Sequence, residues 1–255
     1  MTKKTLFLLN IDNYAPALTA ITYPFIYAWA SKIGAEVVQI TERKFPEWPI
    51  TYEKLQIHEL ARKHGAEWNL YIDSDALVHP ETPDWTAFIP RDTVSHNGAD
   101  FAGVRWSYDH YFLRDGRNVG SCNWLAIASD WCLDLWRPLD DLTPAEALAR
   151  IHPTIDEVRS GVVDTPHLVD DYALSRNIAR FGLKVQTLHT IQKRLGFNDP
   201  NFFFHVYTAP VDDYQDGTKD ESGALVTKPG KITQMHQTLA RWGMTIKEIV
   251  PPRGA

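Results

Sequence analysis

The stretch "NLYIDSDALV", residues 69–78, sets an apolar run against two carboxylates. Leu70 through Ile72 read as the end of a buried strand; the run stops at Asp73, Asp75 follows one residue later, and Ala76, Leu77 and Val78 return to apolar. In parallel α/β sheets, ligands bind beyond the carboxyl ends of the strands. Two carboxylates this close repel each other, and desolvation makes both ions costlier. A divalent cation removes that cost, and hard oxygen ligands suit Mg²⁺ or Mn²⁺. Such an ion keeps waters or takes substrate phosphates as its remaining ligands. The pattern therefore points to a metal that carries a phosphorylated substrate. The plain alternative is that Asp73 caps a turn and Asp75 is solvated. The apolar segments on both sides argue against it.

The flanking sequence indicates what kind of sheet ends there. "KTLFLLN" (4–10) reads as a strand and "PFIYAWASKIG" (24–34) as a helix, with Pro24 at its first position and Gly34 just past its end. "AEVVQIT" (35–41) is a strand rich in β-branched residues. "TYEKLQIHELARKHG" (51–65) is a helix with Thr51 as N-cap and Lys63 and His64 in the last turn, and "EWNLYID" (67–73) is a third strand. A β-α-β-α-β order implies a parallel sheet with right-handed crossovers. Continuous apolar runs imply that both of its faces are covered.

Later segments are less regular. "ADFAGVRW" (99–106), "SCNWLAIAS" (121–129), "LKVQTL" (183–188) and "NFFFHVYT" (201–208) read as strands. "SDWCLDLWRPL" (129–139), "VDDYALSRNIARFG" (169–182) and "KITQMHQTLARWG" (231–243) read as helices, and "DDYQDGTKDESG" (212–223) as a mobile polar loop. No repeat, low-complexity block or linker divides the chain, so a single domain over residues 1–255 is expected.

Composition narrows the class. Hydrophobic residues make up 44% and charged residues 23%, as in a soluble globular protein. No apolar run approaches the roughly 20 residues of a membrane span. The opening "MTKKTLFLLNID" has no small-residue cleavage site after its apolar run and reads as a first strand. Cys122 and Cys132 suggest no disulfide framework, so a reducing cytoplasm is the expected location. A net charge of −6 means that a nucleic-acid partner would need a local basic patch. Nine tryptophans provide core, and also aromatic platforms for planar sugar or base partners.

"YIDSDALV" resembles the D-x-D segment of glycosyltransferases with the GT-A fold. The resemblance is strongest to retaining families such as glycogenin, the lipopolysaccharide galactosyltransferases and the plant galactosyl- and xylosyltransferases, the plant enzymes carrying a very similar "DSDA" core. It covers residues 5 to 210, in patches. It implies an α/β fold with a mixed, mostly parallel Rossmann-like sheet flanked by helices. A nucleotide-sugar half would run over about residues 1–110 and an acceptor half over about 111–255. It also implies that Asp73 and Asp75 bridge Mn²⁺ or Mg²⁺ to the diphosphate of a nucleotide sugar, by family default a uridine diphosphate sugar, with Ser74 between them at the donor.

Other patches extend the resemblance. "NIDNYAP" (10–16) stands where GT-A enzymes contact the nucleoside base, with Tyr14 the aromatic candidate and Asn10 and Asp12 beside it. Lys54 stands where related families carry a basic residue near the nucleotide; its plain alternative is a solvated or snorkelling lysine. Arg105 in "ADFAGVRW" is a looser candidate for lining the site. "RNVGSCNW" offers Asn118, with Gly120, in a family-like N-x-G, and Asn123 as a competing match for the sugar contact. "VDDYALSRNI" is similar to a family segment in which Asp170 falls on the first acidic residue and Asp171 on the position facing the reacting sugar carbon. Tyr172 departs from that pattern. On a helix, Asp171 extends the stripe Leu174, Ile178, Phe181 and should point inward; the plain alternative for either aspartate is a helix cap. His205 stands where related families complete the metal site, although this chain lacks the glycine and lysine that usually follow; His236 is the second choice.

The reading is a glycosyltransferase that moves a sugar from a nucleotide sugar to an acceptor, with retention of configuration favoured by the match at Asp171. The acceptor is open: saccharide, lipid-linked glycan, protein or modified nucleic acid. Two alternatives stand beside it. "YIDSDALV" also looks like the first motif of haloacid-dehalogenase-type phosphatases, with Asp73 as nucleophile and Asp75 as general acid, although that motif normally ends the first strand of its core. The other alternative is a non-catalytic nucleotide-sugar binding protein.

Overall fold

The computed structural model describes residues 2–96, 124–151, 165–197, 202–206, 209–220 and 222–244. The expected strand at 99–106 with Arg105, and Asn118, Gly120, Cys122 and Asn123, lie outside the described residues.

In chain order the elements are β1 (Lys4–Leu9), α1 (Pro16–Ile33), β2 (Ala35–Ile40), α2 (Ile57–His64), β3 (Trp68–Ile72), β4 (Ala76–Val78), β5 (Thr93–His96), β6 (Leu125–Ser129), α3 (Pro144–Leu148), α4 (Val169–Arg180), β7 (Lys184–Thr187), α5 (Leu188–Arg194), β8 (Phe203–His205), β9 (Tyr214–Lys219), β10 (Leu225–Lys228) and α6 (Lys231–Arg241). Six strands form one sheet in the order β2-β1-β3-β6-β5-β7. β1 pairs parallel with β2 and β3, and β5 parallel with β7, while β6 runs antiparallel to both β3 and β5. One strand of six thus opposes the rest, and the sheet is mixed and mostly parallel, flanked by helices, as the sequence reading expects.

Strand periodicity assigns the two faces. Leu6, Leu8, Leu70, Ile72, Leu125 and Ile127 point to one face and pack against Ile26, Trp29 and Ile33 of α1. Phe7, Tyr71, Ala126 and Ala128 point to the other, where Ile57 and Ala61 of α2 and Leu174 and Ile178 of α4 cover them. Each such large side chain contributes about 1.5–3 kcal/mol when fully buried, which is why the strands read as continuous apolar runs. No helix among the described residues is long and apolar enough to cross a membrane.

Several boundaries differ from expectation. The first helix starts at Pro16, not Pro24, which lies inside it. Both prolines satisfy the first-position rule, and eight further helical residues, among them the buried Leu18, Thr19, Ile21 and Thr22, outweigh the hydrogen bond that Pro24 cannot donate. The expected helix at 51–65 is a 3₁₀ turn over Ile50–Gln56 followed by α2, and Thr51 is not its N-cap. The segment after β6 is likewise 3₁₀, over Asp130–Trp136. The polar loop at 212–223 is largely the first strand and turn of the antiparallel β9–β10 hairpin. Its turn is closed by Asp220, whose carboxylate accepts from the backbone N–H groups of Ser222 (2.9 Å) and Ala224 (3.0 Å). β4 leaves the main sheet and pairs with β8, with Ala76 opposite His205.

Candidate metal centre and its cavity

The register of that small ribbon builds the site. Asp73 extends β3 by one hydrogen bond, its N–H donating to the Trp124 carbonyl at 2.8 Å. A turn follows, in which the Ala76 N–H donates to the Asp73 carbonyl at 3.1 Å. Because Ala76 pairs with His205, the imidazole lands beside Asp75, with Nε2 3.2 Å from Oδ1 of Asp75 and 3.7 Å from Oδ2 of Asp73. One ligand atom from each of Asp73, Asp75 and His205 lies within 4.8 Å of the others. Two carboxylate oxygens and an imidazole nitrogen are a donor set that fits a divalent cation. The Trp124 ring stacks on His205 with centroids 4.9 Å apart and planes 12° from parallel. Trp124 thereby holds one ligand through its backbone and another through its ring. His236 is exposed on α6 and lies outside the cluster.

Asp73 has the same strand parity as Tyr71 and so faces the α2–α4 side. The Tyr71 hydroxyl donates to Asp73, and Lys54 Nζ lies 3.0 Å from Asp73, 2.6 Å from Asp170 and 5.1 Å from the Tyr71 ring centroid. Lys54 is 4% exposed, which discards the solvated-lysine reading. On the other flank, the ammonium of Lys231 contacts Asp75, and the Tyr14 hydroxyl donates to Asp75 at 3.4 Å. Acidic and basic side chains alternate along Asp170, Lys54, Asp73, His205, Asp75 and Lys231. Three carboxylates face two ammoniums and one imidazole.

Burial and neighbours act in opposition here. Burial pushes the Asp75 carboxyl up, but His205 and Lys231 overcome it and hold the group well below the usual carboxylate range. Burial would lower Lys54, yet Asp170 and Asp73 raise it above its ordinary value, so it stays charged. At Asp170 burial wins over the Lys54 attraction and the carboxyl is raised. Tyr14 and Tyr71 are both pushed above the ordinary phenol value, chiefly by burial and then by the nearby aspartates.

A cavity of about 200 Å³ opens on this cluster. Leu9, Ile11 and Ile50 give it an apolar wall, and Tyr14, Thr51, Lys54, Ser74, His167 and Lys231 join the three ligands around it. Of the expected base-contacting residues, Tyr14 reaches the cavity, whereas Asn10 and Asp12 are not among the described lining residues. Asn10 instead donates to Gln39 at 2.8 Å. The loop after β1 turns through left-handed backbone at Asp12 (φ 55°), Asn13 (φ 53°) and Ala15 (φ 40°), a conformation costing roughly 1–3 kcal/mol per such residue. Ser74 lines the cavity, but its hydroxyl is committed to the Leu9 carbonyl at 2.7 Å, so it stitches the D-x-D turn to β1. Asp170 and Asp171 are both buried in the first turn of α4, with Asp170 joined to the cluster through Lys54. Neither is the N-cap residue of that helix, which is Leu168.

Sequence reasoning missed Lys231, Trp124, Tyr71 and His167. Lys231 had a readable signal: a Gly-Lys step opening a helix with apolar residues on one face. Trp124 had none, because its role rests on a strand pairing and a ring stack between distant segments.

No family model matches the sequence, and no curated protein does. Among solved structures, the chain is similar to a glycosyltransferase involved in the glycosylation of the major capsid of PBCV-1, with TM-score 0.44 and 13% identity over 91% of this chain and 99% of that one. It is also similar to mouse xyloside xylosyltransferase 1 in its apo form, with TM-score 0.43 and 10% identity over 81% of this chain and 98% of that one. The chemistry of the site rests on its own side chains.

Proposed function

We propose that this chain is a metal-dependent glycosyltransferase of the GT-A type, moving a sugar from a nucleoside diphosphate sugar to an acceptor. The observation that carries the reading is the Asp73–Asp75–His205 cluster at the carboxyl end of β3, opening on a cavity with an apolar wall and two lysines. Asp73, Asp75 and His205 would hold the cation; the imidazole beside two hard oxygens favours Mn²⁺ over Mg²⁺. When bound, the ion supplies Lewis-acid stabilisation of charge on the diphosphate leaving group. Lys231, next to Asp75, would serve as a second cation for that diphosphate. The Tyr14 ring and the wall of Leu9, Ile11 and Ile50 suit a nucleoside base, with uridine the expected one. Lys54 fixes Asp73 and Asp170, and Asp171 faces the reacting sugar carbon, with retention. Residues 1–110 would supply most of the donor site and residues 111–255 the acceptor side, working in the reducing cytoplasm expected of a chain with two cysteines.

The test is a donor screen with Mn²⁺ and a panel of nucleotide sugars, measuring free sugar released. One uridine diphosphate sugar should be hydrolysed slowly, with activity lost in excess chelator and in Asp75→Ala while the thermal melt moves little. Asp171→Asn should keep donor binding and lose turnover, the signature of an interaction specific to the transition state. Donor affinity by calorimetry that is the same with and without chelator would remove the metal from the reading. Hydrolysis of p-nitrophenyl phosphate instead of donor would move the assignment to a phosphatase with Asp73 as nucleophile. That reading gains little from the geometry, since Asp73 is already engaged by Tyr71 and Lys54. Tight donor binding without turnover would leave a nucleotide-sugar binding protein.

A further inference from the structure

α6 touches two cavities. Lys231 opens on the metal cavity; Thr238 and Trp242, at i+7 and i+11, return within about 20° of the same helix face and line a second cavity of about 570 Å³. The β4–β8 ribbon runs between the same two places, from Asp75 and His205 to His79 and Phe202. At 1.5 Å per residue, Lys231 and Trp242 are about 16 Å apart along α6. Between them Leu77, Met235 and Leu239 pack as a buried plug, so the second cavity is separate from the metal site.

Its wall has a distinct chemistry. Trp242 and His79 meet edge to face with centroids 4.9 Å apart, and Phe202 meets His79 in the same manner at 6.4 Å. Arg241 is exposed; it donates to the Thr238 hydroxyl at 2.7 Å and lies 5.8 Å from the Phe204 ring centroid. Nδ1 of His79 accepts from the Glu81 N–H at 3.1 Å, so its Nε2 carries the proton of the neutral ring. Burial, opposed by Glu81 and assisted by Lys32, lowers the His79 pKa and keeps the ring neutral near pH 7. Among the described residues the wall holds no carboxylate. Aromatic rings, forked N–H donors and no anion are complementary to a sugar ring: its C–H face packs on an aromatic plane, and its oxygens accept from the donors. In a chain of net charge −6, a local wall with a guanidinium and no acid also selects for an anionic substituent.

We propose that this cavity is a saccharide-binding subsite that stacks a sugar ring on Trp242 and holds the carboxylate of an acidic sugar at Arg241. The proposal does not rest on the metal site, so it stands or falls independently of the transferase reading. The probes are a hyaluronan hexasaccharide, which alternates glucuronate with a neutral sugar, and neutral cellohexaose, titrated by calorimetry at pH 7. Hexasaccharide binding should saturate and weaken about tenfold in Trp242→Leu and in Arg241→Met, and cellohexaose should bind at least about tenfold more weakly than the acidic probe. Arg241→Met removes the guanidinium, with its charge and its N–H donors, and leaves an unbranched apolar side chain on an exposed residue, so it remains informative if Trp242→Leu fails to fold. Metal-dependent donor hydrolysis should be unchanged in Arg241→Met, which touches nothing in the metal cavity. No saturable binding of either sugar, equal binding of the two, or unaltered binding in both variants would overturn the proposal.

Discussion

Lys54 shows what one residue can do in a buried site. Its ammonium is shared between Asp73 at 3.0 Å and Asp170 at 2.6 Å, and it keeps its charge because those two anions outweigh the cost of burial. Lys54→Met preserves most of the volume but leaves both carboxylates without their common cation. Breaking a buried pair in this way costs about 3–5 kcal/mol, and urea melts of the metal-free protein should show a loss of that size. Adding Asp170→Asn should recover part of it, since Asp170 is the more buried anion and burial already raises its carboxyl. A double variant no more stable than Lys54→Met alone would mean that Asp170 is held by something other than this pair. The sequence indicated a basic residue near the nucleotide, but it could not show that the residue reaches its second anion 116 positions away. Ion pairs between distant segments follow from topology and leave no local pattern.

At the scale of elements, legibility followed periodicity. β1, β2 and β3 were readable because Leu6, Leu8 and Leu70 alternate with Phe7 and Tyr71 into two distinct packed layers. The β9–β10 hairpin was not, because its strands are held mainly by backbone pairing and carry few apolar residues to reveal the alternation. β4 was hidden for another reason: its three residues continue the apolar run past the carboxylates, and only pairing with β8 makes them a strand. α1 shows the limit of terminus rules, since Pro16 and Pro24 both satisfy them. That helix carries a testable strain. Pro24 cannot donate to the carbonyl one turn back, and its ring crowds that turn. Pro24→Ala should restore the bond and raise stability by about 1 kcal/mol or more, allowing for the looser unfolded chain that loss of a proline brings. Chemical denaturation of the two proteins measures this directly. A variant less stable than the parent would show that α1 is built around Pro24, with Tyr23 and Thr22 depending on it to reach Ser74.

For the whole molecule, the D-x-D motif joins regions distant in sequence. The central sheet takes β1, β2 and β3 from the first third of the chain and β7 from far downstream, while the ligand cluster takes Asp73 and Asp75 from one side and His205, 130 residues away from Asp75, from the other. His205 is held by a three-residue strand outside the main sheet and by one stacked ring. A metal bound here would be a long-range crosslink that the unfolded chain cannot reproduce. A ligand that binds only the folded state stabilises it by RT ln(1 + [L]/Kd), about 2.7 kcal/mol at a concentration of 100 Kd. For a chain of this size that corresponds to a rise in Tm of roughly 5–10 °C. Mn²⁺ should produce such a shift without any nucleotide, and chelator should reverse it. Asp75→Ala and His205→Ala should each abolish it, whereas His236→Ala, on an exposed face of α6, should leave it intact. Scanning calorimetry of the four proteins with and without Mn²⁺ decides the matter. A shift that survives Asp75→Ala and His205→Ala but vanishes in His236→Ala would place the ion on α6, away from the carboxyl end of β3.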